Sequence, residues 1–96
     1  MLFALMCTDK PDGLEIRLAN RPAHIVFLKS LGDALKAAGP FLNDAGDMVG
    51  SLLIIESADK SAVSAIADRD PYAMAGLFDV VDIRAWKWVV KNPEAA

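Results

Sequence analysis

Ninety-six residues make room for one hydrophobic core and no second, so residues 1–96 read as a single domain. A net charge of −3 and a pI near 4.9 argue against nucleic acid as the main partner, because phosphate binding needs a basic face. Yet 54% of the chain is hydrophobic, more than a small monomer hides, which implies a ligand cavity or a subunit interface.

A lone cysteine, Cys7, cannot close an internal disulfide, and there is no Cys/His cluster with metal-ligand spacing. The apolar start, Met1 to Met6, has no basic flank and meets Asp9 too soon for a signal peptide or a membrane span. The expectation is a cytoplasmic protein, without membrane contact, metal or cofactor.

Leu2 to Cys7 reads as a first strand buried on both faces, ended by the turn signal Thr8 to Gly13. Leu14 to Arg17 begins a helical turn whose continuation Pro22 limits. From Arg21 the helical period is clear, with His24, Leu28, Leu31 and Leu35 on one stripe, and Gly39-Pro40 is expected to stop it. Phe41 to Asp47 fits a short strand and turn. Val49 to Glu56 alternates as a second hairpin strand across Gly46-Asp47. Ser57-Ala58-Asp59 offers caps for a second helix, whose apolar face is Ala62, Val63, Ile66 and Ala67. Asp70-Pro71 then marks a corner, and Gly76 suits the left-handed end of the turn begun at Pro71. Phe78 to Val90 reads as a long last strand, followed by a loose tail over 91–96.

The order strand, helix, strand, strand, helix, strand is the ferredoxin-like α+β arrangement, an antiparallel sheet with both helices on one face. Phe78, Val80, Trp86 and Trp88 fall on one side of the last strand, and Val81, Ile83, Ala85 and Val89 on the other. With both faces apolar, a twin subunit is expected to cover the uncovered one, giving a homodimer packed sheet on sheet.

His24, the one histidine, lies on the helical stripe that faces the sheet, and Asp70 closes the second helical segment on the same side. A carboxylate beside an imidazole orients the ring for general acid/base work. The bland alternatives are a core histidine and a capping aspartate. Arg17 and Arg21 precede His24 by two turns and one, and could clamp an anionic substrate, since guanidinium matches a carboxylate in a bidentate way. Against that stands a solvated face. Ser51 is a possible donor to a ligand, whereas Cys7 reads as core.

Arg17-x-x-x-Arg21-Pro22-Ala23-His24, Gly39-Pro40, Gly50-Ser51-Leu52 and Asp70-Pro71-Tyr72 through Ala75-Gly76-Leu77 resemble, in order and spacing, the YciI-like (YCII-related) family of the dimeric α/β-barrel group. The resemblance implies a ferredoxin-like subunit in a two-fold dimer and a site centred on His24 and Asp70. It draws Tyr72 into the ligand-binding set with Arg17, Arg21 and Ser51. Two functions are then open. One is a lyase or isomerase moving a proton on a compact, anionic, ring-containing metabolite. The other is a non-catalytic ligand-binding or accessory module of the same fold.

Overall fold

A computed structural model describes residues 1–94. The elements are β1 (Leu2–Asp9), α1 (Leu14–Ser30), a 3-10 turn (Gly32–Ala34), β2 (Leu35–Leu42), β3 (Met48–Glu56), α2 (Lys60–Asp68), α3 (Pro71–Met74) and β4 (Phe78–Trp86). All pairings in the four-stranded sheet are antiparallel, in the order β2-β3-β1-β4. This is the ferredoxin-like α+β fold.

One face of the sheet carries the core. Phe3, Leu5 and Cys7 of β1 and Leu53 and Ile55 of β3 pack with Val63 of α2. Leu28, Leu31, Leu35, Ile66, Phe78 and Ile83 close around them. Leu5, Ile55 and Val63 are fully buried, and each such side chain contributes about 1.5–3 kcal/mol.

The first helix differs from expectation at both ends. It starts at Leu14, runs unbroken through Pro22 and ends at Ser30. Proline leaves the carbonyl of Leu18 without its helical donor. Leu18 and Pro22 are both exposed, so the break lies on the solvent side and helical phase survives. The stop is Gly32, at φ +56°, rather than Gly39-Pro40. Leu35 sits at helical spacing from Leu28 and Leu31 but reaches the same core from a strand. Gly39 and Pro40 lie within β2, an edge strand, where proline's missing N–H is tolerated.

The last strand is also shorter than expected. Trp86 pairs with Leu2, the first residue of β1, so nothing remains for Val89 and Val90 to pair with. A register shift at Thr8/Asp9 moves Phe78 to the helix side, against simple alternation. The segment after β4 is tied at Glu94, whose Oε1 accepts from Lys36 Nζ at 2.8 Å. The rest of the expected tail, Ala95 and Ala96, lies outside the described residues.

At Gly50, where β3 runs against β1, only glycine fits. A Cβ on Gly50 would fall on the carbonyl oxygen of Cys7 and press on Phe41, whereas one on Gly39 meets nothing within 4 Å. Gly50→Ala is therefore expected to cost about 1–3 kcal/mol by overpacking. Gly39→Ala should stay within about 0.5 kcal/mol. Urea unfolding of the two variants checks the contrast.

Candidate active site

Helix α1 lays Arg17, Arg21 and His24 along one edge of a cavity of about 180 Å³. Ser51 and Leu53 of β3 form its floor, Tyr72 one wall, and Ala38 to Pro40 of β2 its far rim. A cavity of about 150 Å³ holds a benzene ring, so this one suits a single-ring molecule.

His24 and Asp70 meet. The ring Nδ1 lies 2.8 Å from Asp70 Oδ1, and both residues are buried, with 7% and 3% of their surface exposed. Asp70 is also the N-cap of α3, the same Oδ1 accepting from the Tyr72 backbone N–H at 2.9 Å. The same carboxylate therefore both caps α3 and holds the imidazole. A carboxylate oxygen only accepts, so Nδ1 carries a hydrogen, and in the neutral ring Nε2 would then present its lone pair. Nε2 has no partner among the described residues, yet no buried polar side-chain atom among them lacks one. Nε2 therefore opens onto the cavity that His24 lines.

Tyr72 ties the two ends of the site together. Its ring stacks on His24 at 3.9 Å between centroids and 16° between planes, and the Arg17 guanidinium lies over it at 4.7 Å. The two α1 residues are seven apart, about 10 Å along the helix. The phenol ring fills the space between them. Burial raises the Tyr72 hydroxyl above its usual range, while the charges of Arg17 and Arg21 pull it back down.

Arg17 is not the free clamp expected of it. Its Nε and Nη2 donate to Asp9 Oδ2 and Oδ1, both at 2.8 Å, and Nη2 also donates to Ser51 Oγ at 3.0 Å. Burial opposes its charge, but the bonds and charge of Asp9 raise the guanidinium above its ordinary value. Asp9 escaped sequence reasoning because it reads as part of a turn signal. Its one clue is its place at the end of a strand whose neighbours enter the core. Arg21 is exposed at the cavity mouth. Gly76, at φ +74°, ends α3 as expected.

With this geometry in view, the relatives are informative. The chain matches the YCII-related domain over residues 1–87. It is 40% identical over 97 residues to protein YciI of Escherichia coli, covering 93% of this chain and 99% of that one. The chain belongs to the YCII-related family. An uncharacterized protein of Haemophilus influenzae is 33% identical over 99 residues, with the same coverage of both chains. Among solved structures, this YCII-related chain superposes with a TM-score of 0.83 and 35% identity on 5-chloro-2-hydroxyhydroquinone dehydrochlorinase (TftG) of Burkholderia phenoliruptrix in complex with 2,5-dihydroxybenzoquinone. The match covers 91% of this chain and 94% of that one. An antibiotic biosynthesis monooxygenase at TM-score 0.56 and 14% identity, covering 93% and 99%, shares the fold alone.

Cys7 lies beneath the site, and its thiol is pushed up to about 12, first by burial and then by the nearby charges of Asp70 and Asp9. Tyr72 is shifted in the same direction. Both groups hold their protons to higher pH in the fold than in the unfolded chain. Above the ordinary thiol value of 9.0 the unfolded state therefore binds fewer protons, and stability falls as pH rises towards 12. Cys7→Ala should flatten that alkaline loss, measured by urea midpoints across the range. In wild type, iodoacetamide should label Cys7 about a hundredfold faster in urea than in buffer.

Proposed function

We propose that this chain is a small lyase or isomerase in which His24, oriented by Asp70, moves a proton on a compact, anionic, ring-containing metabolite. The observation that carries the reading is the imidazole held at Nδ1 by a buried carboxylate, with Nε2 directed into a ring-sized cavity. Nε2 would take a proton from the bound ring while Asp70 balances the imidazolium charge. Arg21 at the mouth and Arg17 on the wall favour an anion. Ser51 and Tyr72 complete the ligand-binding set. The likeness to a dehydrochlorinase holding a dihydroxybenzoquinone supports the same class of substrate.

The test is solvent exchange. In D₂O, wild-type protein should accelerate loss of the ring C–H signal of 2,5-dihydroxybenzoquinone, followed by NMR. His24→Gln should lose a hundredfold or more of that acceleration, and Asp70→Asn a comparable part. Equal rates in wild type and His24→Gln would refute proton transfer by this residue. A ligand that raises the wild-type melting temperature without exchange would identify the non-catalytic binding module instead.

We further infer that the active unit is a homodimer packed through the sheet face opposite the helices. Ala4, Met6, Leu52, Ile54, Trp86 and Trp88 line an open apolar groove there, and the two tryptophans meet edge to face at 4.8 Å. An unpaired apolar face of this kind is rare on a monomer. Sedimentation should give a dimer for wild type and a shift towards monomer for Trp86→Glu. A compact wild-type monomer at low micromolar concentration would refute the assembly.

A further inference from the structure

The guanidinium of Arg17 has two forks that can grip a carboxylate, one along Nε/Nη2 and one along Nη1/Nη2. Asp9 fills the first with two bonds of 2.8 Å, and the remaining Nη2 hydrogen goes to Ser51 Oγ. Neither fork is left for a ligand. What remains is Nη1, on a guanidinium that also interacts with the Tyr72 hydroxyl, and both residues line the cavity. Beside it stands the Ser51 hydroxyl. Its oxygen accepts from Arg17, so its hydrogen is free to donate into the same cavity.

Resting on the proposed reading of the site, we propose that Arg17 Nη1 and Ser51 Oγ–H form a subsite for a single oxyanion, a phenolate or enolate, and that Asp9 is the positioning residue that excludes carboxylates from it. One charged and one neutral donor, converging from α1 and β3, suit one oxygen. A carboxylate finds there no pair of parallel N–H groups, because Asp9 occupies one fork and Ser51 half of the other. Asp9 acts only through Arg17, since it does not line the cavity. The proposal narrows the ligand from any ring anion to a ring bearing an ionised hydroxyl. That hydroxyl sits at the Arg17 end and the reacting carbon at the His24 end, with the Tyr72 ring between the two α1 groups.

The test compares two single-ring monoanions, 4-nitrophenolate and benzoate, titrated calorimetrically at a pH where both are ionised. Wild type should bind 4-nitrophenolate about tenfold or more tightly than benzoate, the scale of one lost charged hydrogen bond. Asp9→Asn frees the fork, so the ratio should fall to about one or invert, a change that general loosening of the fold would not produce. Should Asp9→Asn fail to fold, Ser51→Ala carries the test. It should lose about tenfold for 4-nitrophenolate and less than about twofold for benzoate. An equal or reversed preference in wild type, or a ratio unchanged in the variants, overturns the assignment. So does absence of binding by either anion. None of these results depends on catalysis, so His24→Gln, expected to keep the wild-type ratio, separates failure of this subsite from failure of the proton-transfer reading.

Discussion

Two buried carboxylates hold helix α1 in place. Asp9, at the end of β1, grips Arg17, and Asp70, at the corner between α2 and α3, grips His24. The C-terminal half of α1 is anchored by ordinary packing, through Leu28 and the following Leu31. The N-terminal half is not, for Leu14, Ile16 and Leu18 are exposed. Its attachment to the sheet rests on polar contacts. Each of those contacts must be complete, because a buried charge left without its partner is strongly destabilising. The bonds that fix the helix are therefore the bonds that build the cavity.

That coupling explains why the site tolerates a proline inside its principal helix. Pro22 stands between Arg21 and His24, but on the exposed side. The break it makes in the hydrogen-bond ladder faces water, and the seven-residue phase from Arg17 to His24 is kept. The Tyr72 ring then packs against both residues, and its own backbone N–H is held by Asp70. One carboxylate oxygen thus sets the imidazole, the start of α3 and, through α3, the ring that separates the two ends of the site.

Chemically the cavity is polarised. An imidazole nitrogen opens at the His24 end, while donors and cations cluster around Arg17, Arg21 and Ser51. Such an arrangement is the basis of the proposed substrate class, a compact ring-containing anion. The relative at 35% identity was solved with 2,5-dihydroxybenzoquinone, whereas the more distant fold relatives speak only to the scaffold.

The order of elements, the sheet topology and the pairing of His24 with Asp70 were legible in the sequence. Alternation in β1 and β3, the Asp59 cap and the Asp-Pro corner are local patterns with local causes. The end of α1 was not legible. Leu28, Leu31 and Leu35 keep helical spacing while the chain changes conformation at Gly32, because one core accepts apolar side chains from either element. The face of Phe78 was hidden for a similar reason, since a register shift lies in the pairing of two strands and not in either one. The role of Arg17 was hidden most deeply. An arginine on a helix announces a charge, but whether that charge meets a substrate or Asp9 depends on a strand end eight residues away that only the folded chain brings within 2.8 Å.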